Sequence, residues 1–391
     1  MGLTEREISL VRAGLAVIEP QAGEVTVYFY AILFSRYPQV RELFPADMDV
    51  QRDRLLRGLL RIIELVDDPP RLVQFCTLLG RDHRKFGTLE AHYPAVGECL
   101  LAALARYAGT AWSQEMASAW THAYNTAARV MILAAEDDSR LRPATWKAEI
   151  VGHVPRGHGI AEITVRPDQN YPYAAGQYVS METSWRPLAW RHYSPANAPR
   201  PDNTLTFHVR AVSGGTVSSA LVHHAVLGDI VQLGPPQGDM TLDAAEDRDL
   251  VCVAGGTGLA PIRAILEEAA RSGMRRYVDL FVGARTAEEL YGLDDMLRMA
   301  QRQYWLSVRA AVSHQHIVGR EGTLPQVLRE FGPWDQHEAF LCGPPDMVIS
   351  AARTLLGSGV PMARIHHDPL DTPVLNTPLA PARDPQENAP L

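Results

Sequence analysis

The 391-residue chain has few cysteines, no basic surplus and no long apolar run, and each shortage excludes a class of protein. The four cysteines have no CxxC spacing, so the sequence indicates neither a zinc site nor a disulfide framework. A net charge of -8 gives no reason to expect nucleic acid, because phosphate binding needs a basic surface. No apolar run reaches the roughly 18 residues of a membrane span, and no signal peptide is evident. We therefore expect a cytoplasmic protein without stable membrane insertion.

The spacing of apolar residues divides the chain into three parts. From Thr4 to about Asp138 the period is helical, and Thr4 with Glu7 predicts a capping box at its start. Between about 146 and 242 the period drops to two, which indicates an antiparallel barrel or sandwich. From 249 onward strands alternate with helices, as in a doubly wound parallel sheet.

These changes of period predict a multidomain protein of three domains and a tail. We place an all-α domain at residues 1–142, an antiparallel β domain at 143–242 and an α/β domain at 243–368. The proline-rich stretch 369–391 is predicted to be disordered.

Glycines concentrate where a strand meets a helix in the stretch LVCVAGGTGLAPIRAIL. A GxGxxP pattern there directs backbone amides and a helix dipole at a pyrophosphate, although a tight turn alone also needs glycine. The later stretch LCGPPDM also ends a strand, and the carboxyl ends of parallel strands meet in one crevice. The residues of the two motifs are Gly255, Gly256, Thr257, Gly258, Pro261, Cys342, Gly343 and Pro344.

Three polar residues of the helical part lie among apolar neighbours. His83 continues a helical apolar stripe, which is typical of a core histidine and also compatible with a metal ligand. Gln51 lies one turn before Leu55, as a boundary residue or a ligand contact would. Tyr30 is a buried phenol that needs a partner. Taken singly, each residue favours the structural interpretation.

Taken together, these residues and their surroundings resemble a known family. The stretches FYAILFSRYPQVRELF, DHRKF, HYPAVGECLLAAL and AWTHAYNTAARVMI resemble the globin domain of the flavohaemoglobins over nearly its full length. The resemblance implies that His83 is the proximal ligand of haem iron, since imidazole is a common axial ligand. It also implies that Tyr93 lies beside that histidine and orients it.

The same resemblance assigns the other face of the haem. Phe44 would pack on the haem, and Tyr30, Gln51 and Leu55 would form the distal pocket. The tyrosine hydroxyl would donate a hydrogen bond to iron-bound O₂, and Gln51 would steady that network.

The proximal side departs from the family pattern at two positions. The family's glutamate on the last helix falls on Ala135, and the adjacent Glu136 is displaced by about 100° around the helix. The family's lysine before the proximal histidine is Asp82 here. We therefore expect the redox potential of the iron to differ from that of typical members.

The stretch WRHYSPAN, residues 190–197, resembles the RxYS motif of the ferredoxin reductase superfamily, although an edge strand with an exposed arginine would look similar. By that resemblance Arg191 pairs with the FAD pyrophosphate, Tyr193 stacks on the isoalloxazine ring and Ser194 hydrogen-bonds near flavin N5. His192 lies between them.

The stretch SGGTVSSAL follows some twenty residues later. Gly214 and Gly215 allow a close backbone approach, and Val217 and Ser218 begin a helix whose N-terminus can hold pyrophosphate.

Two further stretches bear on the nicotinamide site. In GARTAEELY, Arg285 is a candidate contact for adenine or a 2'-phosphate, and the lack of a basic cluster favours NADH over NADPH. In RIHHDPLDTP, His366, His367 or Asp368 would line the flavin edge where the family has an aromatic residue; a solvated strand end is an equal alternative.

The predicted cofactors are haem b, FAD and NADH or NADPH, arranged as an electron relay from the nicotinamide through the flavin to iron. A flavin takes hydride and releases electrons singly, which matches a two-electron donor to a one-electron acceptor. The family resemblance implies nitric oxide dioxygenase activity with O₂ and NO as substrates. Two alternatives remain: an oxidoreductase with another donor or acceptor, such as peroxide or a small organic molecule, and a globin gas sensor that regulates the reductase. We expect a monomer or weak dimer.

Overall fold

The computed structural model describes residues 2–313 and 322–368, so the tail predicted at 369–391 lies outside the described residues. The chain forms two compact units. Between residues 2 and 368, apart from 314–321, no helix has both the length and the apolarity to cross a bilayer. The first unit contains Met1–Trp146, Glu182–Trp190 and Gln232–Pro235, and the second contains Lys147–Met181, Arg191–Val231 and the described chain from Pro236.

Six helices form the first unit, as the apolar period predicts. The capping box is confirmed, since the Thr4 hydroxyl accepts from the Glu7 N–H and the Glu7 carboxylate accepts from the Thr4 N–H. The helices are α1 (Glu5–Ile18), α2 (Ala22–Arg36), α3 (Asp49–Glu64), α4 (Pro69–His83), α5 (Tyr93–Ala108) and α6 (Gln114–Leu141).

Small residues let α4 approach α6. A Cβ at Gly80 would lie 2.3 Å from the Met131 carbonyl oxygen, so only glycine fits at this crossing. Around it Leu72, Cys76 and Met131 are buried in one apolar cluster. The position of α4, which ends at His83, is therefore fixed by direct contact with the longest helix.

A buried carboxylate joins the end of α4 to the end of α6. Asp138 is 3% exposed and pairs with the Arg84 guanidinium and, at 2.7 Å, with Arg142 Nε. Arg84 also donates to the Arg142 carbonyl oxygen over 2.9 Å. Because this carboxylate is buried and shared, its loss leaves the Arg84 guanidinium, whose side chain is 11% exposed, without its anion.

We predict that Asp138→Ala lowers the free energy of unfolding of the helical unit by about 3–5 kcal/mol, the cost of breaking a buried ion pair on one side. Chemical denaturation followed by helical circular dichroism measures this. The control is Asp137→Ala, whose partner Arg140 lies 3.0 Å away and whose side chain is 70% exposed; it should cost about 0–1 kcal/mol. Equal effects of the two substitutions would contradict the prediction.

Six strands form one sheet whose order is β4-β3-β6-β1-β2-β5. The neighbours β1 and β2 run antiparallel, as do β2 and β5. Beyond β4, Pro195 forms a bridge with Phe207 of β5, and the Ala196 N–H donates to the Thr206 carbonyl oxygen over 2.7 Å. This closure favours the barrel over the sandwich. The elements are β1 (Trp146–Gly157), β2 (Ile160–Pro167), β3 (Tyr178–Thr183), β4 (Arg186–Tyr193), β5 (Leu205–Arg210), α7 (Thr216–His223) and β6 (Ile230–Gln237).

A parallel sheet of order β11-β10-β7-β8-β9 lies between helices, which confirms the doubly wound prediction. The order changes direction between β7 and β10, and ligands of such sheets bind at the carboxyl ends of the strands at this point. The elements are β7 (Leu250–Gly255), α8 (Leu259–Ser272), β8 (Val278–Ala284), α9 (Leu293–Ala300), β9 (Leu306–Val312), α10 (Leu324–Phe331), β10 (Glu338–Cys342), α11 (Pro345–Gly357) and β11 (Ile365–His367).

Candidate functional site

The last residue of α4, His83, has the geometry of an axial metal ligand. Its Nδ1 lies 2.7 Å from the Leu79 carbonyl oxygen. Because a carbonyl can only accept, Nδ1 carries the proton and Nε2 keeps a free lone pair. Burial lowers the pKa of His83, so the imidazole is neutral and able to donate to iron.

The side chains predicted for the distal pocket come together in one cluster. Tyr30 of α2 is 5% exposed and hydrogen-bonds to the Gln51 side chain of α3. The Phe44 ring lies 5.5 Å from the Tyr30 ring, and Leu55 packs against the same core. Burial raises the pKa of Tyr30 to about 12, so its hydroxyl keeps its proton at neutral pH. This pocket therefore holds a fixed hydrogen-bond donor.

The proximal surroundings are built from backbone and apolar groups. Tyr93 begins α5 and packs with Cys76 and Leu79, and its carbonyl oxygen accepts from the Tyr124 hydroxyl over 2.6 Å. Among the described residues, His83 bonds to Leu79 rather than to Tyr93. Glu136 is exposed and Ala135 has no polar side chain. No carboxylate of α6 therefore takes the place of the family's glutamate.

The predicted flavin motif lies at the end of β4. Side chains alternate along a strand, so Arg191 and Tyr193 share one face, while His192 lies on the other with its ring 5.0 Å from that of Tyr178. Burial raises the pKa of Tyr193 to about 12, and the Arg191 charge opposes that rise. Ser194 follows directly after the strand. A guanidinium beside a neutral phenol suits a phosphate-linked aromatic ring system.

The chain after Ser194 is held by a buried amide. The Asn197 side chain donates to the carbonyl oxygens of Ala198 over 2.8 Å and Thr204 over 3.1 Å, and accepts from the Thr206 N–H over 2.7 Å. Asn197 also donates to the Tyr173 hydroxyl over 3.0 Å, and no local sequence pattern predicts this set of partners.

The glycine pair before α7 is required by the turn it forms. Gly214 has a φ of +74°, and a Cβ at Gly215 would lie 2.4 Å from Val212 Cγ2. The Ser218 hydroxyl folds back to within 3.4 Å of the Gly215 carbonyl oxygen, and Val217 is buried in the first turn of the helix. The free N–H groups of that turn are available to an anion.

The GxGxxP and CGP motifs meet at the carboxyl ends of two adjacent strands. Ala254 of β7 lies opposite Cys342 of β10. A Cβ at Gly258 would lie 2.5 Å from the Cys342 carbonyl oxygen, and one at Gly255 would lie 2.5 Å from Met347 Sδ. Side chains at these glycines would separate the two motifs. Thr257 and Pro261 flank this contact on the turn and on the first turn of α8, whereas Gly343 and Pro344 follow β10.

Arg210 is a candidate site residue that the sequence analysis missed. It ends β5, and its Nη2 lies 3.5 Å from the position of a Cβ on Gly256, which has a φ of +55°. Its Nε is buried and has no hydrogen-bond partner among the described residues. A guanidinium at a glycine turn that opens a helix adds charge to the amides that bind phosphate. The sequence did offer one signal for Arg210, which is a basic residue at the end of a predicted strand just before the SGG stretch.

The charged residue predicted for the adenine end is already paired. Arg285 follows β8, and its Nη2 lies 2.5 Å from one carboxylate oxygen of Glu289 while its Nε lies 3.1 Å from the other. This pairing raises the pKa of Arg285. The arginine predicted at the adenine end is therefore paired with the carboxylate of Glu289.

The three residues predicted at the flavin edge have different surroundings. His366 Nε2 lies 2.9 Å from the Glu338 carboxylate, at the opposite end of β10 from the CGP motif. His367 Nδ1 bonds to the Asp368 carbonyl oxygen over 2.8 Å. Asp368 lies beside Gly238 and Cys342, and burial together with the charge of Asp239 raises its pKa to about 7. Of the three residues, Asp368 is therefore the one that lies beside Cys342 and the crevice.

Comparisons with known proteins agree with this architecture. Family models match at residues 27–131 (Globin), 159–242 (Oxidoreductase FAD-binding domain) and 252–353 (Oxidoreductase NAD-binding domain). The protein is therefore an oxidoreductase in which a globin precedes flavin- and nicotinamide-binding domains. Over nearly its full length the chain is similar to flavohaemoproteins: it is 28% identical over 393 residues to a flavohemoprotein of Bordetella pertussis, covering 93% of this chain and 97% of the relative.

Other relatives match the whole chain or its reductase half. A flavohemoglobin structure from Malassezia yamatoensis shares the fold with a TM-score of 0.79 and 20% identity, covering 94% of this chain and 99% of that one. The electron transfer component XylA of a xylene/toluene monooxygenase of Pseudomonas putida is 36% identical over 212 residues, 52% of this chain and 59% of the relative. A FAD/NAD-binding domain of a Vibrio cholerae nitric oxide dioxygenase shares the reductase fold, with a TM-score of 0.52 and 22% identity over 57% of this chain and 97% of that one.

We predict that Arg210→Gln raises KM for the nicotinamide dinucleotide roughly tenfold to hundredfold, because a charged hydrogen bond contributes about 1.5–3 kcal/mol. Steady-state reduction of an artificial electron acceptor measures KM, and the flavin content should not change. Arg298→Gln, at a 61% exposed arginine paired with Asp295, is the matched control. An unchanged KM in Arg210→Gln would remove this residue from the site.

Proposed function

We propose that the protein uses NADH to reduce a haem held by His83, and that this haem converts nitric oxide to nitrate with O₂. The observation that carries the proposal is the buried hydrogen bond between Tyr30 and Gln51. A phenol fixed in this way would donate a hydrogen bond to a ligand that gains negative charge, as O₂ does when it is reduced. Similarity to a flavohemoprotein over nearly the whole chain and the fold shared with a domain of a nitric oxide dioxygenase support the proposal.

The residues fit three cofactors. His83 would bind the haem iron through Nε2, and Phe44 would pack on the macrocycle. Arg191, Tyr193 and the start of α7 would hold FAD. Bound flavin would supply the conversion of one hydride into two single electrons.

The nicotinamide would lie at the carboxyl ends of β7 and β10, beside Gly258 and Cys342, and Arg210 would pair with its pyrophosphate. The close approach of Gly258 to the Cys342 carbonyl oxygen brings the two motifs together at this point. Asp368, with its pKa raised to about 7, can hold a proton beside this crevice.

On the distal side, the side chains would orient one hydrogen-bond donor and exclude water. The Tyr30 hydroxyl can accept from Gln51 and donate its proton into the pocket. Because the phenol is buried, no solvent competes for that proton, and the hydrogen bond strengthens in the low-dielectric surroundings.

We predict that Tyr30→Phe lowers nitric oxide consumption in air by about tenfold to hundredfold, by loss of a charge-assisted hydrogen bond. A nitric oxide electrode with NADH present measures the rate. Tyr28→Phe is the control, because Tyr28 of the same helix packs against Arg106 instead. Turnover in Tyr30→Phe equal to that of the unaltered protein would reject the proposed role.

A second function, electron transfer to another small acceptor or from an organic donor, is favoured by the proximal side. Within residues 2–313 and 322–368, His83 bonds to a neutral carbonyl there, and the carboxylate of Asp82 pairs with Lys85 over 2.6 Å. Haem reduction without nitric oxide turnover would select this function. Haem that stays ferric while the flavin is reduced would select a sensor.

We infer a preference for NADH from Glu289. Its carboxylate, on the short 3-10 turn Ala287–Glu289 that follows β8, holds the Arg285 guanidinium and would repel a 2'-phosphate. We predict that Glu289→Gln raises kcat/KM for NADPH relative to NADH by about tenfold, the effect of removing one nearby like charge. Glu268→Gln, at a glutamate paired with Arg271 on α8, is the control. An unchanged ratio in Glu289→Gln would contradict the inference.

A further inference from the structure

A row of aromatic rings connects His83 to the strand that carries the flavin motif. The Phe86 ring lies 6.2 Å from the His83 ring at 73°, and the Trp190 ring lies 6.4 Å from Phe86 at 81°. Both are edge-to-face contacts within the range of favourable ring packing. His83, Phe86 and Trp190 all belong to the first unit, and Trp190 lies on β4. The row therefore ends one residue before Arg191.

A buried cation lies beside the last two rings of the row, Phe86 and Trp190. The Lys85 side chain is 2% exposed, and its Nζ lies 5.1 Å from the centre of the Phe86 ring and 5.4 Å from that of Trp190. Asp82 balances the charge, with its Oδ1 2.6 Å from Nζ. A desolvated cation near two ring faces binds them more strongly than an exposed one does. Lys85 is thus a positioning residue for this row.

The backbone of Trp190 is held as well as its ring. Arg54 of α3 donates from Nη2 to the Trp190 carbonyl oxygen over 3.3 Å. The whole residue is 1% exposed. Because side chains alternate along β4, Trp190 lies on the face opposite Arg191 and Tyr193. The strand therefore presents flavin-binding groups on one face and a ring packed toward His83 on the other.

We propose that Phe86 and Trp190 carry the electronic coupling between the flavin and the haem on His83. This inference rests on the electron route of the proposed function and not on nitric oxide as the substrate. In each transfer the reduced flavin loses one electron and ferric haem becomes ferrous. The flavin proton goes to solvent, no bond to either ring forms or breaks, and the rings keep their own oxidation state. Two transfers use the electron pair of one hydride.

The test compares Trp190→Leu, Trp190→Phe and Trp185→Leu in the full-length holoprotein. Trp185 lies in the turn between β3 and β4 and is partly exposed, so it is a matched tryptophan outside the row. Each protein is mixed with NADH under CO without oxygen. Flavin bleaching reports hydride transfer, and the ferrous carbonyl band reports electron arrival at the haem. We expect Trp190→Leu to slow the second rate about tenfold or more at an unchanged first rate, with Trp190→Phe restoring most of it.

A structural role is separated from a coupling role by a second measurement. The reduction potentials of the haem and the flavin are titrated in each variant. They should not shift, because a ring that only couples the two cofactors does not change the driving force for electron transfer. Phe86→Leu, at a partly buried ring, repeats the test should Trp190→Leu fail to fold. A haem rate unaffected by Trp190→Leu or by Phe86→Leu would overturn the proposal. A loss explained by a shifted potential, or matched by Trp185→Leu, would do the same.

The outcome is independent of the nitric oxide reaction. If the haem rate depends on Trp190 while nitric oxide is not consumed, the coupling stands and the proposed substrate fails. If nitric oxide is consumed while haem reduction does not depend on Trp190, the coupling fails and the proposed function stands.

Discussion

Hydride transfer requires the donor and acceptor atoms to be in contact. The close backbone approach at the carboxyl ends of β7 and β10 is therefore the constraint on which the remaining chemistry depends. Gly258 has to be glycine because the Cys342 carbonyl oxygen lies 2.5 Å from where its Cβ would be. That contact brings the two nicotinamide motifs into one crevice. Arg210 adds positive charge at the same turn, and Asp368 adds a titratable carboxyl. The reductase half is thus organised around one point of backbone contact.

The helical domain offers two chemically different faces, distal and proximal, to a haem. The distal face offers a fixed phenol, because burial and Gln51 leave the Tyr30 proton available to a bound ligand. The proximal face offers a neutral imidazole whose partner is a backbone carbonyl. A carbonyl accepts a proton less strongly than a carboxylate, so a haem iron held by His83 would receive less electron density than one held by a carboxylate-assisted histidine. The distal face therefore resembles the family pattern more closely than the proximal face does.

Periodicity predicted most of the fold, and local motifs predicted part of the site. Helices α1 to α6 and strands β7 to β10 follow from the change of period between 3.6 and two, since each buries a continuous face. The choice between barrel and sandwich depended on the bridge from Pro195 to Phe207, which no local pattern encodes. Arg210 and Trp190 were missed because their neighbours, Gly256 and Arg54, are distant in sequence. His366 illustrates the converse: the motif suggested a flavin contact, and the structure pairs it with Glu338.

The most direct test of the account is an anaerobic absorption spectrum of the purified protein under CO, recorded before and after NADH is added. The account predicts that the flavin bands bleach and that a ferrous carbonyl haem band then rises, which requires both cofactors to be present and connected in series. Bleaching without haem reduction, or the lack of any haem band, would contradict it and leave a flavin reductase with a globin that receives no electrons.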